Sequence, residues 1–476
     1  MMPNANDKFE IAIVGGGIVG LITALGLLER NIPVKIYEQS RSFREIGAGI
    51  GFTSNARKAM ALLNPSIEKA VGAVATHNGE NENEPDEFLR FNDGYTWDNT
   101  HPEEDDMPLY NLDTGHEGFI GCHRAHLLEE LVKFIPEDAV EFRKKLVNVT
   151  DQEKGEKVLL HFQDGTTSSA DAVIGCDGIK SKVRQLVLGP DSPATYPHSS
   201  HKVAYRALIP MDRAVAAIGS FKAFNEHCHT GPRAHVLHFP LAAGTILNFV
   251  AVADDTTDWD SVGEGVANMT SLTTREEVAA VFQDWGPTVK NLINLLPDEV
   301  TKWAIFDTYD YPAPTFVKGR LCLAGDAAHA STPHHGAGAG MGVEDALALA
   351  TLLHKGTKIL QGLPSPRQGD KSSLLEAMFR AYDIVRPPRG KWMVKSSRDA
   401  CEIYEWNHPD TMCDWDKCLK DLTERSHKIW DYDIEGMIIQ LEGEFANQVQ
   451  SRLQPQHDAG LSKAIAPVRV EDAVVE

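Results

Sequence analysis

The chain has 476 residues, of which 42% are hydrophobic and 24% charged, the composition of a globular protein with a large core. Its formal charge of −22, from 68 acidic and 46 basic residues, disfavours nucleic acid and anionic membrane surfaces as partners. Seven scattered cysteines, a polar N-terminus and the lack of a long apolar run predict a cytoplasmic protein without disulfides, a bound metal or a membrane span.

The start of the chain predicts a β-α-β unit. An apolar, β-branched run at residues 9–14 is typical of a buried strand, and glycines follow it at once. Residues 18–30 predict a helix, and residues 32–38 predict the next strand. We expect the two strands to run parallel, because a helical crossover joins them.

A G-x-G-x-x-G motif joins the first strand to the helix. Gly15 permits a sharp turn, Gly17 lets the backbone approach a pyrophosphate, and Gly20 permits close packing of the helix. The helix N-terminus attracts the negative charge. Glu38 ends the second strand, where its carboxylate can accept hydrogen bonds from ribose hydroxyls. This pattern predicts a bound dinucleotide but does not distinguish FAD from NAD.

The middle of the chain predicts a second sheet of different architecture. Residues 78–106 are polar and acidic and predict an irregular surface excursion. The pair Asp164-Gly165 predicts a tight hairpin turn between strands at 158–162 and 172–175. Further strands follow without intervening helices, which indicates an antiparallel sheet. These strand-like runs are residues 203–209, 234–239 and 245–252.

The last third of the chain is predicted to be mainly helical. Residues 321–324 predict one more buried strand, and residues 342–353, rich in alanine and leucine, predict a helix. The irregular, glutamine-containing sequence after about residue 446 predicts a flexible tail.

Two further motifs follow predicted strands, as the first glycine motif does. They are Gly175-Cys176-Asp177-Gly178 and Gly325-Asp326-Ala327-Ala328-His329. With these fingerprints the chain resembles the class A flavoprotein hydroxylases, single-component FAD-dependent enzymes related to 4-hydroxybenzoate and salicylate hydroxylases. The similarity covers roughly residues 8 to 435 and extends through residues 45–50, 123–125, 205–206 and 333–340. Fungal enzymes that dearomatise polyketide phenols look similar too and share Tyr205-Arg206.

The resemblance implies an α/β fold. It combines a Rossmann-like FAD-binding domain of the glutathione-reductase type, as in 4-hydroxybenzoate hydroxylase, with an antiparallel-sheet substrate domain and C-terminal helices. We therefore predict an FAD-binding domain in residues 1–200 and 311–400, and a substrate-binding β-sheet domain in residues 201–310. Residues 401–445 are predicted to form the C-terminal helices, and residues 446–476 the tail.

The resemblance also assigns residues to the cofactor. It implies that Glu38 binds the FAD ribose, that Gly51 and Arg124 line the cofactor, and that Asp326 contacts the ribityl chain. The glycine-rich run that opens the helix after residue 335 can present N–H groups to the flavin pyrimidine edge. The predicted cofactor-binding residues are Gly15, Gly17, Gly20, Glu38, Gly51, Arg124, Asp177, Asp326, Gly338, Ala339 and Gly340.

Arg206 is the main catalytic candidate, because a cation beside a phenol favours the more reactive phenolate. Some dearomatising relatives pair this arginine with a tyrosine, whereas this chain has phenylalanine at positions 239 and 119. His235 or His238 is expected to replace the missing hydroxyl. His329 is predicted either to cap a buried turn or to act in catalysis. The predicted catalytic residues are Arg206, His235, His238, Phe239, Pro333 and His335, and His334 is expected to face the flavin with them.

The resemblance implies a monooxygenase that uses NAD(P)H and O2 and acts through a flavin C4a-hydroperoxide. The expected reaction is ortho or ipso hydroxylation of a salicylate-like acid, and the alternative is oxidative dearomatisation of a resorcinol-type polyketide phenol. An NAD-dependent dehydrogenase and a non-catalytic flavin-binding protein are the more distant alternatives. The choice between NADH and NADPH stays open, as does that between monomer and homodimer.

Overall fold

The computed structural model describes residues 8–43, 49–80, 86–98, 100–101, 105–115, 119–151, 156–259, 269–364 and 366–452. The strands are β1 (Ile11–Val14), β2 (Val34–Glu38), β3 (Gly49–Phe52), β4 (Ala75–Thr76), β5 (Phe88–Asp93), β6 (Met107–Asp113), β7 (Ile120–His123), β8 (Val140–Phe142), β9 (Leu146–Thr150), β10 (Val158–Phe162), β11 (Thr167–Ala170), β12 (Ala172–Gly175), β13 (His198–Pro210), β14 (His227–Gly231), β15 (Ala234–Leu241), β16 (Ile246–Asp254), β17 (Thr270–Thr274), β18 (Glu299–Asp307), β19 (Val317–Lys318) and β20 (Leu321–Leu323).

The α-helices are α1 (Ile18–Glu29), α2 (Ser54–Leu63), α3 (Pro65–Gly72), α4 (Arg124–Val132), α5 (Lys182–Leu188), α6 (Met211–Ile218), α7 (Ser220–Phe224), α8 (Arg275–Val281), α9 (Pro287–Ile293), α10 (Asp326–His329), α11 (Gly338–Gly362), α12 (Gln368–Tyr404), α13 (Trp415–Trp430) and α14 (Ile434–Arg452). Short 3-10 turns occur at Glu137–Ala139, Pro193–Thr195 and Pro333–His335. The mixed α/β composition confirms the predicted fold class.

A six-stranded, mostly parallel sheet carries the first glycine motif. Its strand order is β19-β20-β12-β1-β2-β8, and β1 pairs in parallel with both β2 and β12. The predicted β-α-β unit is therefore confirmed. Every residue of β1 is buried, because one hydrophobic core joins this sheet to α1, α11 and α12. The carboxyl ends of β1, β12 and β20 consequently meet at one edge, where parallel α/β sheets bind ligands.

The hairpin around Asp164-Gly165 differs from the prediction. Its second strand is β11, which pairs antiparallel with β10, whereas β12 belongs to the six-stranded sheet. Only Asp171 separates the end of β11 from the start of β12, so the chain passes directly from the hairpin into the six-stranded sheet. The prediction of a strand at residues 172–175 is confirmed, but the predicted pairing of this strand with residues 158–162 is wrong. Its fully apolar sequence suits a central strand of the parallel sheet, which is buried on both faces.

An eight-stranded sheet forms the second layer, with the strand order β17-β18-β13-β16-β15-β14-β5-β6. The antiparallel pairing of β13, β15 and β16 agrees with the prediction. Two features differ from it. Helices α6 and α7 separate β13 from β14, and the supposedly irregular residues 78–106 contribute β5, which pairs in parallel with β14. The polar composition of this segment does not indicate a strand, and one of the two partners of β5, strand β14, lies far along the chain.

The C-terminal third is helical, as predicted, and α11 extends the predicted helix at both ends. Helix α14 continues to residue 452, so the predicted tail does not begin at residue 446. The rest of the tail, residues 453–476, lies outside the described residues, and so do residues 45–48 of the motif at 45–50. The predicted domain boundaries at residues 200, 310 and 400 stay predictions.

Three further findings concern the described ranges. None of their helices combines the length and apolar character that crossing a bilayer requires. They contain no cluster of three or more histidine, cysteine, aspartate or glutamate side chains that could hold a metal ion. All seven cysteines fall within them as free thiols, and six of the seven are buried.

Candidate active site

A cavity of about 910 Å³ lies between the two large sheets. One end is lined by the glycine turn after β1 and by the loops that follow β2, β12 and β20. The other end is lined by β13, β15 and β16 of the eight-stranded sheet. The segment at residues 331–339 runs along the cavity between these ends. Groups from both sheets can therefore contact one elongated ligand.

Only glycine fits at two positions, one in the turn after β1 and one in the first turn of α1. Gly15 has a φ of +103°, and a Cβ atom there would lie 2.4 Å from the carbonyl oxygen of Cys176. A Cβ atom on Gly20 would lie 2.1 Å from the carbonyl oxygen of Gly15. Gly17 precedes α1 and lines the cavity, whereas Gly20 does not. The turn thus presents bare backbone to the cavity, which suits a pyrophosphate.

Glu38 lies at the end of β2, beside the glycine turn. Its carboxylate accepts hydrogen bonds from the backbone N–H of Gly16 and of Ser40, each at 2.7 Å. These bonds fix the carboxylate at the cavity wall, where its free lone pairs can accept from ribose hydroxyls. Arg124 also lines the cavity, at the start of α4.

The two predicted aspartates line the same end of the cavity, but Asp177 is engaged in hydrogen bonds with its own loop, whereas Asp326 is exposed. Asp177 caps α5 by accepting from Ser181 Oγ at 2.5 Å and from the N–H of Lys182 at 2.6 Å. Burial raises the pKa of Asp177, although these donors oppose the shift. Asp326 is exposed at the first position of α10. Asp326 is therefore free to bind a ligand, whereas Asp177 mainly holds the loop that follows β12.

Gly51 lines the cavity at a close approach to an aromatic ring. A Cβ atom at this position would lie 1.8 Å from the ring of Phe119, which packs edge-on to Phe239 at 5.5 Å between centroids. The glycine therefore makes room for Phe119 at the cavity wall.

The loop before α11 brings bare backbone and histidines to the cavity. Gly338, Ala339, Pro333 and His335 line the cavity, whereas Gly340 lies against α2. Burial, together with Arg425, lowers the pKa of His335 to about 4. Its Nε2 lies 2.9 Å from Ser396 Oγ. His335 is therefore neutral at physiological pH, and its Nε2 is directed to Ser396.

His334 is the second histidine of this loop. Its Nδ1 lies 2.9 Å from Thr332 Oγ1, and its buried Nε2 has no hydrogen-bond partner among the described residues. Burial, followed by the nearby His235, holds the pKa of His334 well below its usual range. It is a neutral group that lines the cavity.

His329 lies in a buried ion-pair network rather than on the cavity wall. Its Nε2 lies 2.6 Å from Asp345 Oδ2, which also accepts from the N–H of Gly325 at 2.9 Å. Burial opposes ionisation of Asp345, but His329 and Arg386 outweigh it and lower its pKa to about 2. This geometry favours the structural alternative for His329, because the histidine fixes the turn that presents Asp326.

Arg386 holds this network together, and we expect its replacement to destabilise the fold. Its side chain is fully buried and contacts Glu344 and Asp345, both at 2.8 Å. Arg386→Met would leave two buried carboxylates short of positive charge, which costs about 3–5 kcal/mol of the free energy of unfolding. Chemical denaturation of the purified variant measures this loss. Arg380→Met, at an exposed position of the same helix, is the control, and an equal effect of both variants would contradict the interpretation.

Successive side chains of β15 point to opposite faces of the sheet, and this places the two predicted histidines on different faces. His235 and Phe239 line the cavity together with Leu237, whereas His238 does not. The Nε2 of His238 instead lies 3.0 Å from the Nε2 of His229 in a buried cluster. His238 therefore cannot replace the missing tyrosine hydroxyl, because side chains one and three positions apart on a strand point to opposite faces.

Arg206 points from β13 into the cavity, and no carboxylate of the described residues forms an ion pair with it. Its Nε is buried and has no hydrogen-bond partner in the described part of the chain. Burial, and the charge of Arg124, lower the pKa of Arg206. Its guanidinium lies 5.7 Å from the ring centroid of Trp303. A buried cation of this kind is stabilised by an anionic ligand.

Glu405, at the end of α12, was not identified from the sequence. Its Oε1 lies 3.0 Å from His235 Nδ1, and its Oε2 pairs with Lys202. A carboxylate held by Lys202 can only accept, so the Nδ1–H of His235 donates to it, and in the neutral ring Nε2 is then an acceptor. Because 170 positions separate the partners, no local pattern could have predicted this dyad.

The cavity fits FAD by its own geometry. The turn at Gly15 is closed to any side chain, the Glu38 carboxylate beside it can accept from a ribose, and the Nε of Arg206 has no partner among the described residues at the other end. An elongated dinucleotide with a substrate beyond it satisfies each of these features.

Known proteins share this arrangement. A family model described as an FAD binding domain matches residues 8–359. The FAD-dependent monooxygenase pigN of Monascus ruber is 49% identical over 431 residues, which cover 90% of this chain and 95% of that protein. Salicylate hydroxylase asL1 of Sarocladium schorii is 45% identical, with coverage of 92% and 91%. The solved substrate complex of a salicylate hydroxylase matches with a TM-score of 0.76 at 29% identity, over 92% of this chain and 98% of that one.

A mostly parallel sheet with a glycine turn faces a mostly antiparallel sheet across one cavity, and with the solved relative this arrangement defines an FAD-dependent hydroxylase of the α/β class. The extent of the family match and the identity to these relatives allow a narrower statement. The chain belongs to the family of FAD-dependent monooxygenases and is a flavoprotein aromatic hydroxylase.

Proposed function

We propose that the chain uses NAD(P)H and O2 to hydroxylate a phenol that Arg206 binds as its phenolate. The observation that carries the proposal is the buried, unpaired Nε of Arg206 on the cavity wall. An adjacent cation lowers the pKa of a bound phenol and so increases the fraction of the electron-rich phenolate. When bound, FAD supplies the oxygen chemistry, and the protein orients and charges the substrate.

His235 is the proposed proton acceptor. Glu405 fixes the ring with the proton on Nδ1, which leaves Nε2 as an acceptor for the hydroxyl proton of an incoming phenol. Lys202 holds the Glu405 carboxylate in place. The Phe119–Phe239 pair adds an apolar wall that excludes water from the ring.

For the substrate we propose a salicylate-like acid. Arg206 lines the cavity, and its guanidinium can pair with the phenolate or the carboxylate of such an acid. A salicylate hydroxylase among the relatives supports this choice. Oxidative dearomatisation of a resorcinol-type phenol is the second candidate, because Arg206 of the Tyr205-Arg206 pair faces the cavity and a single phenolate satisfies it.

Product mass separates the two candidates. The purified protein is first checked for a flavin absorbance spectrum, and NADH and NADPH oxidation is then followed with salicylate-like and resorcinol-type phenols. We expect a phenol to accelerate oxidation and a product to gain one oxygen atom from labelled dioxygen. Loss of carbon dioxide in the same product indicates a salicylate-like substrate. If every phenol yields only hydrogen peroxide at an unstimulated rate, the proposed function is wrong.

A further inference from the structure

Glu226, immediately before β14, is a buried carboxyl group on the cavity wall. Its side chain is 6% exposed, and no described residue pairs with its carboxyl or donates a hydrogen bond to it. The backbone around it is fixed. Its N–H donates to Asn78 Oδ1 at 2.5 Å, and its carbonyl accepts from the N–H of Arg90 at 3.1 Å. The backbone that carries this carboxyl is therefore held in place, and the carboxyl has no partner among the residues that the structure describes.

The environment favours the neutral form of this group. Burial raises the pKa of Glu226 to about 8, and no cation in the described part of the chain offsets this loss of water. A neutral carboxyl both donates and accepts hydrogen bonds, so it matches a carbonyl or hydroxyl group. Tyr404, which also lines the cavity, is committed elsewhere, since its hydroxyl donates to the carbonyl of His334 at 2.8 Å.

Glu226 lies across the sheet from Arg206. The strand order β13-β16-β15-β14 places two strands between them, and the register sets Glu226 two residues further along, so their backbones are roughly 16 Å apart at the usual strand spacing. The residues in register with Arg206 on the two intervening strands are Val250 and Leu237, and both line the cavity. A ligand that contacts both Arg206 and Glu226 must therefore extend over this apolar floor.

We propose that Glu226 forms a second polar subsite, which binds an uncharged carbonyl or hydroxyl group on a side chain of the phenol whose phenolate contacts Arg206. The inference rests on the proposed function and narrows its substrate class to phenols that are longer than one ring. A carboxylate at this end would face a buried acidic group without a counter-charge, and a purely apolar chain would leave that group without a partner. Both are therefore disfavoured.

Binding of three matched phenols to the flavin-loaded protein tests the subsite. They carry an oxobutyl, a carboxyethyl or a butyl chain, each in the meta and para series. Dissociation constants come from the change in flavin absorbance without NAD(P)H, so the readout does not require turnover. For the wild type in at least one series, we expect the oxobutyl phenol to bind roughly tenfold more tightly than the other two.

Two variants separate hydrogen bonding from shape. Glu226→Gln keeps donors and an acceptor, and we expect it to keep the preference for the oxobutyl phenol. Glu226→Leu removes them, and the oxobutyl phenol should lose its roughly tenfold advantage over the butyl phenol. Flavin content and melting temperature report on the fold of each variant. Equal binding of the oxobutyl and butyl phenols to the wild type, in both series, overturns the subsite even if the leucine variant fails to fold.

The outcomes also separate this inference from the proposed function. If phenols accelerate NAD(P)H oxidation but Glu226→Leu leaves their ranking unchanged, only the subsite is wrong. If the ranking depends on Glu226 but no phenol accelerates oxidation, the subsite stands as a binding site and the proposed function fails.

Discussion

Replacing Arg206 with alanine should remove coupled hydroxylation while FAD stays bound. Arg206 lines the substrate end of the cavity, and the glycine turn and Glu38 lie at the opposite end. Loss of a buried, charge-assisted contact to a phenolate typically costs several kcal/mol. We therefore expect kcat/KM for a phenol to fall on the order of a hundred- to a thousandfold.

The measurement compares phenol-dependent NAD(P)H oxidation with the amount of hydroxylated product, together with the flavin absorbance of the variant. Arg213→Ala is the matched control, because Arg213 is exposed on α6 outside the cavity. We expect the control to behave as the wild type. Normal product formation by Arg206→Ala would remove Arg206 from the mechanism, and loss of flavin would assign it a structural role instead.

Replacing Gly15 with alanine should yield a protein without bound flavin. The methyl group would lie 2.4 Å from a backbone oxygen that cannot move alone, and a φ of +103° disfavours any side chain. Relief of the overlap requires the turn to open away from the pyrophosphate. Because each 1.4 kcal/mol weakens binding tenfold, we expect flavin content after purification to fall below about a tenth of the wild-type value.

Gly165→Ala is the control for backbone conformation. Gly165 also has a positive φ, of +81°, but a Cβ atom there would meet no atom within 4 Å. It lies in the turn between β10 and β11 and does not line the cavity. We expect this variant to lose about 1 kcal/mol of stability and to keep its flavin. Equal flavin loss in both variants would show that a general loss of stability, rather than the closed turn, releases the cofactor.

Local sequence patterns were sufficient for the parts of the fold that form within one stretch of chain. The β-α-β unit and its glycine turn were predicted closely, because hydrophobic run, turn and helix are adjacent. The position of His238 was predictable too. It is three residues from His235, and the alternation of a strand already places the two on opposite faces. The two histidines therefore cannot serve as alternatives for one role in the cavity.

Long-range pairings could not be predicted in this way. Strand β5 pairs with β14 although more than a hundred residues separate them, and the acidic composition of its surroundings indicates only a loop. Likewise, Glu405 reaches His235 from the end of α12. Glu226 directly precedes an ordinary strand, and only the folded sheet shows that its carboxyl group is buried without a cation among the described residues beside it. Such contacts depend on topology, which a single sequence constrains weakly.

The eight-stranded sheet is assembled from two separate stretches of the chain, residues 88–113 and residues 198–307. A fragment that starts at β13 would lack β5 and β6, and the outer edge of β14 would expose unpaired N–H and C=O groups, a template for aggregation. The substrate-facing sheet therefore cannot be transferred to another protein as one continuous segment. Swapping specificity between relatives requires both stretches to be exchanged together, or individual side chains to be changed within the intact chain.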